Sequence, residues 1–148
     1  MVNTSQRVVS VAESGSGPYS QIVTIGGHTL SADEPQRVGG NDVGPSPYEY
    51  VLAGLGACTA MTLRAYVSRH NWGVDRISIE LQHKKIVAPD STSTVDQFLR
   101  IIHLVGDISE QQRLKLLEVA ETCAVSRTLR RVSIVESKLV GSFEPNLA

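Results

Sequence analysis

Cysteine is scarce in this chain: only Cys58 and Cys123 occur in 148 residues. Two cysteines cannot build a disulfide-stapled framework, and this pair has neither C-x-x-C spacing nor zinc-ligand spacing. An excess of one charge is lacking as well. Fourteen Lys and Arg stand against fifteen Asp and Glu, a formal net charge of -1. That balance offers no basic face for nucleic acid and no polybasic anchor for a membrane. Long apolar runs are missing too. Met1–Arg7 holds none of signal-peptide length. The uncharged apolar stretch from Tyr50 to Leu63 is 14 residues, short of the ~20 that span a bilayer. The expected location is therefore the reducing cytoplasm, where cysteines rest as thiols and a disulfide is usually transient and catalytic. His28, His70, His83 and His103 show no metal-site spacing, so no metal is expected. The glycines from Gly39 to Gly44 match no phosphate-binding pattern, and no nucleophile-elbow serine exists.

What is present is the composition of a globular protein, 41% hydrophobic and 20% charged, over a length that fits one domain, residues 1–148. Strands are predicted over Arg7–Glu13, Tyr19–Ile25 and His28–Ala32, the last two joined by a Gly26-Gly27 hairpin turn. Asp33 to Pro45 reads as a loop. Ser46-Pro47-Tyr48-Glu49 carries a Ser N-cap, Pro at the first helical position and Glu three residues after the cap. It predicts a helix from Pro47 to about His70. The middle of that helix is apolar all round, so it must be enclosed. A chain this short needs a second copy to enclose it, and a dimer is expected. Ile77, Ile79 and Leu81 alternate with polar residues as a half-buried strand. Pro89–Thr94 is a loop and Phe98–Leu104 a strand. A second capping box at Ser109-Glu110-Gln111-Gln112 opens a helix with Cys123 near its end. Arg127–Arg131 is ambiguous, Val132–Glu136 is a last strand, and Phe143–Ala148 is a loose tail. The pattern is α+β.

On local sequence, each cysteine reads first as a small buried hydrophobe. Composition leaves open whether the two meet. His83 shares a strand face with Ile77, Ile79 and Leu81 and is expected to be a satisfied core histidine. Glu49 has a structural explanation in the capping box. At ~100° per residue, the nine residues from Glu49 to Cys58 put the two on opposite sides of the helix.

Two longer segments resemble a known family. Gly44-Pro45-Ser46-Pro47-Tyr48-Glu49-Tyr50, continuing through Ala53-Gly54-Leu55-Gly56-Ala57-Cys58-Thr59-Ala60-Met61-Thr62-Leu63, is similar to the central-helix segment of the OsmC and organic-hydroperoxide-resistance superfamily. Leu116 to Leu129, centred on Cys123, is similar to its second cysteine segment. The resemblance implies an OsmC-like fold, with antiparallel sheets around two long central helices in an intertwined homodimer. It implies sites at the subunit interface and no cofactor. It makes Cys58 the peroxidatic cysteine and Cys123 the resolving one, acting on organic hydroperoxides, with a lipoyl-type dithiol as a possible reductant. Glu49 is the candidate for the family's glutamate, although Tyr48 occupies the position in register. The family's early-hairpin arginine has no counterpart between Ser14 and Ile25, and no motif brings Arg37 to the site. Ala124 and Ser126 stand where many relatives have Pro and His. A non-catalytic protein binding a small apolar ligand, and a thiol redox sensor, are the other readings.

Overall fold

The computed structural model describes residues 7–140. Its first part is a three-stranded antiparallel sheet of β1 (Val9–Glu13), β2 (Gln21–Ile25) and β3 (His28–Ala32), in sequential order. Ile25 pairs with His28 across the Gly26-Gly27 turn. Gly26 has φ 57°, the left-handed region that a two-residue hairpin requires and glycine enters freely. The three strands thus sit where expected, the first two starting slightly later than their predicted spans.

The segment from Asp33 to Pro45 has one 3-10 turn, Gln36–Val38, and is otherwise irregular. Its order comes from Asp33, a buried carboxylate that accepts the backbone N–H groups of Glu34 (2.8 Å), Asn41 (3.1 Å) and Val43 (3.3 Å). These donors have no sheet or helix partner, so the side chain takes the place of secondary structure. Asp33 N–H in turn donates to the Pro45 carbonyl at 3.1 Å, and the Tyr50 hydroxyl donates to the Ser31 carbonyl. Both bonds tie the sheet to the helix that follows.

That helix, α1, runs Pro47–Arg69, with Ser46 N–H donating to Glu49 Oε2 at 2.7 Å. One face, marked by Leu55, Gly56, Thr59, Leu63 and Val67, is buried. It rests on β4 (Gly73–Val87), which pairs along its whole length with β5 (Thr94–Asp107). The approach is close at Gly56. A Cβ built there would lie 2.6 Å from Leu81 Cδ1, inside van der Waals contact. Both strands extend well beyond their predicted spans, because each supplies the other's ladder without a break except at a bulge between Val74 and Arg76. Arg64 on α1 donates to the Val74 and Asp75 carbonyls at that bulge, at 2.8 and 3.3 Å.

α2 (Glu110–Ala120) closes the core. Its capping box is reciprocal: Gln112 N–H to Ser109 Oγ at 3.1 Å, and Ser109 N–H to Gln112 Oε1 at 2.8 Å. Leu116, Val119 and Ala120 meet Leu63, Val67 and Val74, with Trp72, Ile77, Ile79, Ile102 and Leu104 around them. Each fully buried aliphatic side chain contributes about 1.5–3 kcal/mol relative to exposure.

Two expectations need correction. First, the second helical segment is not one long helix reaching Cys123. It breaks after Ala120, and Cys123 is the N-cap of a separate short helix, α3 (Ala124–Leu129), which also settles the ambiguous Arg127–Arg131 stretch. The Thr122 hydroxyl donates to the Val119 carbonyl (2.7 Å), and side-chain bonding of that kind competes with helical continuation. Secondly, Val132–Glu136 forms no strand. A strand exists only against an edge, and among the described residues none pairs with it. Within one chain, α1 is not enclosed on all sides. Ala53, Gly54 and Ala57 are exposed, and Met61 is 71% exposed. At 23 residues α1 has the length and hydropathy to cross a membrane, but its other face is already packed into the core. The predicted tail Phe143–Ala148 lies outside the described residues.

Candidate active site

Cys58 sits near the middle of α1, one residue before the buried Thr59, and is half-buried. Cys123 lies at the junction of α2 and α3 and is 1% exposed. Sixty-five residues apart in sequence, the two are neighbours here, with the Cys123 thiol in hydrogen-bonding contact with the Cys58 sulfur.

The junction explains how. Cys123 has φ -54° and ψ 131°, out of helical geometry, and its side chain makes no capping bond, so the thiol is left for another partner. The first turn of a helix also leaves backbone N–H groups without intrahelical acceptors. Those of Ala124 and Val125 bond the Cys58 sulfur. Burial works to raise the Cys58 pKa, as it must for any group that ionises to an anion. The Cys123 thiol, the two backbone N–H groups and the Thr62 hydroxyl oppose it, and the balance puts Cys58 below the ordinary thiol value of 9.0. Thr62 is the weakest of the four, since its single proton also bonds the Cys58 carbonyl at 2.7 Å. Among the described residues, no cation is one of the groups that favour the thiolate.

A third residue, unforeseen in the sequence, joins the two cysteine segments. Arg100 on β5 is 9% exposed at its side chain. Its Nη1 donates to Thr59 Oγ1 (3.0 Å) and to the Ala120 carbonyl (2.9 Å), and its Nη2 to Glu121 Oε1 (2.9 Å). The other Glu121 oxygen accepts from Arg130, at the end of α3. A signal for Arg100 existed. In the run Phe98-Leu99-Arg100-Ile101-Ile102-His103-Leu104, strand alternation puts its charge on the same face as Phe98, Ile102 and Leu104.

A cavity of about 360 Å³ opens near the two cysteine segments, with neither cysteine among its lining residues. Leu55, Ile86, Phe98 and Leu129 make its apolar wall, and Asp96, Arg100, Ser126 and Arg130 are among its polar groups. Leu55 is one helical turn before Cys58, and Ser126 is three residues after Cys123. His83, behind Phe98, is a satisfied side chain, although it is half-buried and outside the core expected for it. It stacks between Tyr48 (4.2 Å between ring centroids) and Phe98 (4.9 Å) and bonds Asp96 Oδ1 at 2.8 Å.

Glu49 is held elsewhere. Its carboxylate accepts from the Ser46 backbone and hydroxyl, and those bonds, aided by the charge of Arg37, lower its pKa. It lines an open cavity with Asp42, Gly44, Pro45 and Tyr50, away from the sulfur pair. Among the described residues no three His, Cys, Asp or Glu side chains cluster as metal ligands.

The sequence signature of the OsmC-like protein family matches residues 39–138. The chain belongs to this family. Solved structures agree on the fold. An OsmC organic hydroperoxide resistance protein from Legionella pneumophila is 18% identical, covering 84% of this chain and 89% of its own, at TM-score 0.65. An OsmC-like protein from Mycoplasma pneumoniae is 14% identical, covering 87% and 90%, at 0.71. The organic hydroperoxide resistance protein OhrB of Bacillus subtilis is 19% identical, covering 84% and 90%, at 0.60. No curated protein matches the chain. The family signature spans both cysteines, Glu49 and Arg100, so every residue placed at or near the site lies within the family's own region of the chain.

Proposed function

We propose that this OsmC-like protein is a thiol-dependent peroxidase that reduces organic hydroperoxides, with Cys58 as nucleophile and Cys123 as resolving cysteine. One observation carries the reading: the fold brings the only two thiols of the chain into contact, and surrounds one of them with donors that favour its thiolate. The names of the Legionella and Bacillus relatives, both organic hydroperoxide resistance proteins, support the substrate class.

The chemistry follows from the thiolate. Its sulfur attacks the terminal peroxide oxygen, an S–O bond forms, the O–O bond breaks, and the alkoxide leaves and takes a proton to become an alcohol. Cys58 is left as a sulfenic acid. The Cys123 sulfur then attacks Cys58, the S–O bond breaks, and one water is released as the disulfide closes. An external dithiol, a lipoyl group among the candidates, restores both thiols through a mixed disulfide and is itself oxidised. The apolar wall of the neighbouring cavity suits an alkyl or lipid chain. We place the protein in the cytoplasm, where this cycle starts from reduced thiols, and propose that it works as a homodimer whose second copy covers the open side of α1.

The test is direct. Reduced protein is mixed with one equivalent of cumene hydroperoxide, and mass and free thiols are measured. Both thiols disappear and the mass falls by two hydrogens; Cys58→Ser and Cys123→Ser each abolish the disulfide. Thiols that persist for an hour under these conditions would rule the peroxidase out. Among the described residues no cation is one of the groups that favour the Cys58 thiolate, which favours a second reading, a sensor that forms the same disulfide without turning over. Multiple turnovers with a dithiol reductant distinguish the enzyme from the sensor.

A further inference from the structure

We infer that Arg100 is a positioning residue for the disulfide step, holding the backbones that carry Cys58 and Cys123 at bonding distance. The inference rests on the two-cysteine reading and assigns to it a residue outside both cysteine segments.

Two cysteines form a disulfide only when their Cα atoms come within about 4.4–6.8 Å, with the side chains suitably directed. Here one cysteine is on α1 and the other in a turn between two helices, so nothing in local geometry sets their separation. Arg100 spans that gap. Its Nη1 binds Thr59, the residue next to Cys58. The same nitrogen binds the Ala120 carbonyl, which also accepts the Cys123 backbone N–H at 3.4 Å. One guanidinium nitrogen is therefore a single bond from the Cys58 neighbour and two bonds from the Cys123 backbone. Nη2 adds Glu121, and Glu121 reaches Arg130 at the far end of α3. The helix whose first turn bonds the Cys58 sulfur is thus fastened at both ends.

Each contact has a role that suits arginine. Thr59 Oγ1 already donates to the Leu55 carbonyl at 2.7 Å and is fully buried, so it can offer Arg100 only a lone pair. The Ala120 carbonyl, at the end of α2, otherwise receives only the long bond from Cys123 and has room for a second donor. A planar fork of five N–H groups meets these acceptors and a carboxylate at once, whereas an ammonium is a point charge with three donors. Arg100 is not among the groups that lower the Cys58 pKa. Its effect on the cysteines therefore runs through the position of the two segments and not through its charge.

The experiment compares wild type, Arg100→Lys and Glu121→Gln as full chains. Folding is verified by circular dichroism, and each protein is equilibrated in graded glutathione redox buffers. The readout is the effective concentration of one thiol for the other. We expect it to fall about tenfold or more in Arg100→Lys, the scale on which small misplacements act, and by less in Glu121→Gln, which leaves the buried guanidinium in place. After one equivalent of cumene hydroperoxide, Arg100→Lys should yield a dimedone-trapped Cys58 sulfenic acid that wild type does not accumulate. Folded variants that match wild type in the glutathione equilibrium overturn the assignment, as does a wild type that forms no Cys58–Cys123 disulfide in these buffers. A wild type that forms the disulfide in glutathione but ignores peroxide overturns the peroxidase reading alone. Should Arg100→Lys fail to fold, Glu121→Gln decides by the same criteria.

Discussion

Cys58 and Cys123 are chemically identical side chains in different surroundings, and the difference assigns their roles. Cys58 is half-buried and receives hydrogen bonds; Cys123 is buried and gives one. A donor to a thiolate lowers that thiolate's pKa, so Cys123 primes the very sulfur it later attacks. Because only the thiolate reacts with alkylating agents, the iodoacetamide rate of Cys58 should reach half its maximum below pH 9.0. Cys123→Ala removes the first of the bonds that lower the pKa while burial still acts to raise it, so the midpoint moves upward. Cys123→Ser keeps a donor and should move it less. A wild-type midpoint at or above 9.0, or one that Cys123→Ala leaves in place, would contradict these roles.

At the scale of elements, signals that are local in the chain were readable and signals that need a distant partner were not. The start of α1 was written in Ser46, Pro47 and Glu49, because a capping box is closed within four residues. The break before Cys123 was hidden, since Glu121 and Thr122 are neither glycine nor proline, and the sequence does not reveal that the Thr122 hydroxyl bonds back to the Val119 carbonyl. For the same reason the candidate site was half legible. Its two sulfurs lay within family-like segments, whereas Arg100 belongs to a strand whose alternation gave a weak hint of an inward charge. The loop from Asp33 to Pro45 shows the same limit, for nothing in its glycines and prolines reveals that one carboxylate organises it. Asp33→Ala leaves three backbone N–H groups without their acceptor and should destabilise the fold by about 2–3 kcal/mol, the scale of hydrogen bonds to a charged group. Urea unfolding measures it. A loss below half that would mean that water substitutes freely for the carboxylate.

For the molecule as a whole, the outstanding tension is apolar surface. Met61 on α1 is 71% exposed, Leu99 and Val105 on β5 are 43% and 57% exposed, and Val132, Ile134 and Leu139 are almost wholly so. Exposed apolar side chains in this number suit contact with another chain, and small residues at Gly54 and Ala57 let another backbone come close. The chain after Arg131 carries β-branched residues yet pairs with nothing among the described residues, which leaves their apolar side chains for a second copy to cover. We therefore expect a homodimer with twice the 16.0 kDa chain mass by light scattering at micromolar concentration. Ala57→Glu places a charge on the open face of α1, remote from the core side, and should shift the population toward monomer. Removal of residues 132–148 should do the same, because it takes away the exposed Val132, Ile134 and Leu139. A wild type that remains monomeric at tens of micromolar would show that the exposed surface serves something other than a second copy, and the two cysteines would then have to work with the cavity one chain provides.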